Sequence, residues 1–145
     1  MARIRIGIAV ILLCILAISG KASAEDPRGI WLVEDRDAKI QVSACDSFLC
    51  GTIVWIKDPI DPTTARPWLD KNNIDSSKSD RPLLGLAIVS DMKPSETPGR
   101  WTGHVYSIDR GRNFDGSLTL LNPTTLKVEG CLLFICQSEI WTRVE

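Results

Sequence analysis

A chain of 145 residues accommodates one domain of ordinary size. Its 17 basic and 18 acidic residues leave a formal net charge of −1, with no basic cluster and no run of like charge. That balance argues against nucleic acid as a partner, because phosphate binding needs a concentrated positive surface.

The first 24 residues differ from everything that follows. Arg3 and Arg5 precede an unbroken apolar run of 13 residues, Ile6 to Ile18, and Ala22-Ser23-Ala24 forms a small-x-small cleavage site. This is the layout of a secretory signal peptide, with an apolar run too short for a membrane span. Cys14 follows leucines rather than small residues, so it does not read as a lipid-attachment site. The expectation is a mature domain over residues 25–145, periplasmic or secreted, with no stable membrane span after cleavage. Residues 1–24 hold three basic residues and no acidic ones, so the mature part keeps 14 basic against 18 acidic, a net of −4.

Along the mature chain the pattern is all-β. Gly29 to Val33 is apolar and partly β-branched. Ala38, Ile40, Val42 and Ala44 alternate with Lys39, Gln41 and Ser43, the period of a half-buried strand. Further strands are predicted at 52–56, 84–89, 101–106, 117–121, 126–129 and 139–144, with turn signals at 34–37, 109–113 and 122–123. "GRNFDG" (111–116) reads as a hairpin turn rather than a phosphate loop. Eight strands with short connections favour an antiparallel up-and-down meander closed into a small barrel, which removes exposed edges.

One connection breaks the rhythm. Residues 57–83 make a polar segment of 27 residues with four prolines and five aspartates. Connections this long in a compact domain are usually functional or disordered. Asp70, Asn73 and Asp75 form its densest oxygen cluster, and Arg81 leads out of it. Ile74 occupies the position where a calcium loop needs an acid, and no Gly and Glu follow, so no metal is expected. The oxygens read instead as caps and loop-fixing groups, with Asp70 or Asp75 satisfying loop backbone. Prolines and balanced charge predict an ordered lid over one barrel end, with Trp68 turned toward the barrel.

Four cysteines remain after the leader: Cys45, Cys50, Cys131 and Cys136. An even number in an exported chain reads as a disulfide framework with three possible pairings. Local pairing, Cys45–Cys50 and Cys131–Cys136, is favoured because each pair brackets a segment that can turn back on itself. A redox pair would prefer two intervening residues and a nearby base, and a zinc site would draw on histidine. The sole histidine, His104, lies far from both pairs in sequence.

"GIW" opens the first strand and "WTR" closes the last, and in a closed barrel those strands are neighbours. Trp31 and Arg143 are then expected to stack as a structural clasp. A Gly-x-Trp covered by a late arginine resembles the lipocalin or calycin superfamily. A broader resemblance covers nearly the whole mature chain: "LCGTIVWI", "LDKNNID", "RPLLGLAIV", "WTGHVYSIDRGRNF" and "LKVEGCLLFICQSEIWTR" follow the Gly-x-Trp in order. This looks like the bacterial exported family known as domain of unknown function 2147. The family's usual elements fall at Gly29, Trp31, Gly51, Asp70, Asn73, Arg81, Pro82, Leu83, Gly85, Trp101, Gly103, Tyr106, Gly111, Leu126, Gly130, Trp141 and Arg143. The chain departs from it at Ser107-Ile108, where an Asp-Pro turn is usual, and at Phe114, where a tyrosine is usual. The resemblance implies export and a small barrel, and it implies no activity.

No catalytic constellation stands out. Any histidine-based nucleophile pair must use His104, and no spacing singles out two of the acids. The chain is read as a non-enzyme without cofactor. Its candidate ligand-contacting residues are Trp68, Trp55, His104 and Tyr106, and its expected ligand is small and apolar or amphipathic. The alternative is an envelope interaction or structural protein with a filled barrel. An eight-stranded barrel suits either reading, being just wide enough to be filled by side chains or to hold one small ligand.

Overall fold

A computed structural model describes residues 25–145. The leader expected over 1–24 lies outside the described residues. Eight strands close into an antiparallel barrel in which the chain runs up and down: β1 (Gly29–Leu32), β2 (Ala38–Cys45), β3 (Phe48–Ile56), β6 (Ala87–Pro94), β7 (Arg100–Ser107), β8 (Arg112–Asn122), β9 (Thr125–Leu132) and β10 (Ile135–Arg143). Strand β10 pairs with β1 to complete the ring. Two short strands, β4 (Ile60–Asp61) and β5 (Arg66–Pro67), pair with each other in the long connection, which also carries a 3₁₀ turn at Ser76–Lys78. Both disulfides are the local ones, Cys45–Cys50 and Cys131–Cys136, with Cα atoms 5.7 and 4.1 Å apart. Each ties the two strands of one hairpin together next to its turn.

Three sequence-based boundaries shift. The strand expected at 84–89 starts at Ala87 and runs to Pro94, because Gly85, with φ of 88°, turns the chain before the ladder begins. Strand β3 reaches back to Phe48, paired with Cys45 beside the disulfide. "GRNFDG" is not a turn: residues 112–116 form the first half of β8, and the reversal lies over 108–111. Gly111 carries the turn's positive φ of 63°, and a Cβ there would run into the backbone of Asn72. Gly116 faces inward in the ladder between Gly103 and Gly130.

The barrel's two ends differ. At one end lie the β2–β3, β6–β7 and β8–β9 turns and both chain ends of the domain. Trp31, Trp141, Trp101, Met92, Val42, Leu118, Leu120 and Leu126 are buried there and fill the interior. Arg143 closes this end from below. Its guanidinium carbon sits 4.3 Å from the centre of the Trp31 ring, and its nitrogens donate to the carbonyls of Pro123, Arg28 and Asp26. Gly29 is required by this clasp: its φ is 143°, and a Cβ there would meet the Arg143 guanidinium. Arg143→Ala removes ring stacking and three charge-assisted hydrogen bonds at a partly exposed site. It is expected to cost about 2–3 kcal/mol, read as a shift in the urea midpoint at unchanged slope.

At the other end lie the β1–β2, β7–β8 and β9–β10 turns and the whole of 57–83. Here the interior is not filled.

Candidate ligand-binding site

Cross-strand neighbours Gly103, Gly116 and Gly130 form a row across β7, β8 and β9 with no side chain to project inward. Gly130, at one end of that row, lines a cavity of about 1220 Å³ into which the barrel opens. Its wall is largely apolar: Ile40, Ile53, Ile56, Ile88, Val105, Phe114 and Val128 line it. The chamber is half open, so this volume includes its mouth and exceeds the roughly 300–1,000 Å³ of an ordinary small-molecule pocket.

The long connection builds one side of the mouth. Trp68, Leu69, Lys71 and Asn72 line the opening together with Tyr106 and Ile108. The connection is held as a folded element. Leu69 bridges Pro82, and the Trp68 indole N–H donates to the Asp58 carbonyl at 2.8 Å. Lys71 pairs with the buried Asp61 while lying over the Trp68 ring. Asp75 caps the 3₁₀ turn by accepting from the Ser77 N–H.

The strongest tether is buried. Asp70 is 0% exposed. Its carboxylate accepts from the Tyr106 hydroxyl at 2.7 Å, from Asn73 Nδ2 at 2.8 Å and from Arg81 Nε at 2.8 Å. Burial alone would raise its pKa, but the hydrogen bonds from Asn73, Tyr106 and Arg81 outweigh that and hold it below the usual carboxylate range. The Tyr106 hydroxyl is pushed above its usual range by burial and by its bond to Asp70. Asp70 was expected to fix the loop through backbone; its carboxylate partners are side chains. Arg81 and Asn73 come from the same connection, and Tyr106 comes from the barrel rim, so the bond to Tyr106 joins loop to barrel. Asn72 adds a bond to the Ile108 carbonyl, and the Ile74 N–H donates to Gly111.

Two of the expected ligand-contacting residues lie elsewhere. Trp55 sits on the outer face, under Lys39 at 5.3 Å. The cause is a β-bulge: Lys39 pairs with Trp55 but Ile40 pairs with Ile53, leaving Val54 extra. The bulge turns Ile53 and Ile56 inward and Trp55 outward. His104 is also on the outer wall, with Nδ1 3.4 Å from Asp91, in a shallow groove away from the cavity. Trp68 and Tyr106 both line the cavity, and Trp31 and Arg143 sit together at the opposite end.

Sequence reasoning missed Glu139. It lies on β10 opposite Val128, two residues from the buried Trp141, and lines the cavity. One carboxylate oxygen accepts from the Trp141 indole N–H at 2.6 Å. Burial pushes its carboxyl up, the Trp141 bond works against this, and the nearby Glu34, Asp35 and Asp37 push it further up. The available signal was alternation: Gln137, Glu139 and Trp141 share one face of β10.

This geometry has a family around it. The model for "Uncharacterized protein conserved in bacteria (DUF2147)" matches residues 29–143. The chain belongs to the DUF2147 family. No curated protein matches it. Among solved structures it is similar to protein HP1028 from the human pathogen Helicobacter pylori, described as belonging to the lipocalin family. The two share 12% sequence identity with a TM-score of 0.66, over 83% of this chain and 84% of that one. At that identity the likeness shows the fold alone. In this DUF2147 barrel, no helix among the described residues is long and apolar enough to cross a membrane.

Proposed function

We propose that this DUF2147 protein is an exported binding protein that holds one small apolar or amphipathic molecule in the open half of its barrel, beneath the 57–83 connection. The observation that carries this reading is the contrast between the two halves: one end is packed with tryptophans, the other is an apolar cavity of about 1220 Å³ under a tethered loop. A barrel that served only as a scaffold would gain stability by filling that space. Export is supported by the leader-like residues 1–24 and by two disulfides, which persist in oxidising compartments.

A second reading, docking to an envelope partner, is favoured by one feature. The tip of the β9–β10 hairpin exposes Leu133 at 85% and Phe134 at 88%, beside the cavity mouth. The two readings separate in a titration with the neutral apolar fluorophore N-phenyl-1-naphthylamine. The wild type and a Leu133→Ser/Phe134→Ser double variant should both bind one equivalent, with quenching of Trp68 emission that disappears in Trp68→Phe. Binding that vanishes with the tip substitutions would move the apolar site to the hairpin and leave the partner reading.

A further inference from the structure

Most barrel side chains that face the cavity are apolar, but the charged groups around it are unequal in sign. Glu139 lies inside, and Glu34, Asp35, Asp37 and Asp109 stand at the mouth, against Lys71 and Arg110. Both cations are already engaged. Lys71 is bonded to Asp61 and lies over Trp68, and Arg110 lies over the Phe114 ring.

Glu139 itself is incompletely satisfied. Its Oε1 accepts from Trp141, but no donor among the described residues bonds Oε2, and no cation among them pairs with the carboxylate. Oε2 is not sealed in the wall either, since it is absent from the fully buried atoms that lack a partner. The groups facing Glu139 do not compensate it. Val128 lies opposite on β9, Trp141 and Gln137 flank it on β10, and the β1–β2 turn acts on it through Glu34, Asp35 and Asp37, all of its own sign, with Arg36 the one cation of that turn. An apolar chamber with one unpaired acceptor and an acidic entrance complements a molecule with an apolar body and a positive hydrogen-bond donor.

We propose that the cavity selects amphipathic cations, an alkyl or aryl body carrying an ammonium group, and that Glu139 Oε2 receives that group. The proposal rests on the cavity being the binding site and adds the chemistry of its occupant. A carboxylate-headed amphiphile of the same length meets repulsion from the mouth and from Glu139, so the site discriminates against fatty acids. Burial raises the Glu139 pKa, so cation affinity falls in acid as the carboxylate takes up a proton. A neutral ligand shows the opposite or no trend.

The test uses three probes that differ only in the head: decylammonium, decanol and decanoate, each below its micelle concentration. They are titrated calorimetrically into the wild type and into Glu139→Gln. Glutamine preserves the acceptor for Trp141, and a thermal melt reports whether the variant is folded. The expected result is decylammonium binding about tenfold more tightly than decanol, with decanoate weakest. In Glu139→Gln the cation preference should fall to about threefold or less while decanol affinity holds. Decylammonium affinity should fall as pH is lowered into the acid range where Glu139 takes up its proton, while decanol affinity should not. Equal binding of all three heads, or an undiminished cation preference in Glu139→Gln, overturns the assignment of Glu139 and leaves the cavity as an apolar site. Failure of every probe to bind removes the cavity as a binding site and the proposal with it.

Discussion

Asp70→Ala should be among the most damaging single substitutions outside the tryptophan-filled end, costing about 3 kcal/mol. Three donors converge on this fully buried carboxylate, and its removal leaves Tyr106, Asn73 and Arg81 without their acceptor. Breaking a buried charge pair by deleting one partner costs about 3–5 kcal/mol. Here the Arg81 side chain keeps contact with solvent at 36% exposure, which places the cost at the lower end. Chemical denaturation measures the loss. Hydrogen exchange should place the local effect in 68–83, because the loop-to-rim bond from Tyr106 goes with it. The pH dependence has a definite sign. A carboxyl whose folded pKa is depressed contributes stability above its unfolded value, about 3.9, and loses that contribution as pH falls through the folded pKa. The wild type should therefore lose its advantage over Asp70→Asn in acid, below about pH 4. Tyr106 acts at the other extreme: its raised pKa favours the neutral form in the folded state, so its contribution fades above about pH 10.

The largest effect on binding is expected from Gly130→Phe. Gly130 lines the cavity, and a Cβ built on it would meet only Phe114 and Val105 at ordinary contact distances, 3.8 and 4.0 Å. Gly103 and Gly116 offer no such room, since a Cβ on either would collide with a neighbouring strand or side chain. A phenylalanine at 130 can thus grow into the cavity without disturbing the ladder. It should lower affinity for an occupant by on the order of 100-fold, the loss expected when most apolar contact is displaced. Stability should hold or rise, because the new ring buries apolar area. Titration of the naphthylamine probe together with a thermal melt distinguishes a blocked cavity from an unfolded barrel.

Much of this fold was legible in the chain. Period-two alternation located the strands, the cysteine spacing gave local pairing, and the Gly-x-Trp and late Arg143 anticipated the contact at the closed end. What was not legible depends on two things that sequence does not carry. The first is the bulge at Val54, which reverses which of Ile53 to Ile56 face inward and moves Trp55 to the surface. Nothing in "TIVWI" announces that extra residue. The second is which side of a strand faces the interior. For "RWTGHVYS" alternation placed His104 and Tyr106 on one face and Trp101 and Val105 on the other. Tyr106 is nonetheless buried, because the distant Asp70 covers it, while His104 stays exposed. Burial conferred by a loop 36 residues away is invisible to local periodicity. Glu139 was passed over for a related reason: a single acid in an alternating strand reads as surface until the barrel closes and turns its face inward.

Native mass spectrometry addresses the central claim most directly. Protein is recovered from its own cells without detergent, or incubated with a total extract of those cells, and desalted gently. The expected result is a complex one small molecule heavier than the disulfide-bonded polypeptide, released on collisional activation and absent from Gly130→Phe. A spectrum showing only the bare polypeptide under both conditions, or an adduct that persists in Gly130→Phe, would contradict a ligand held in the open half of the barrel.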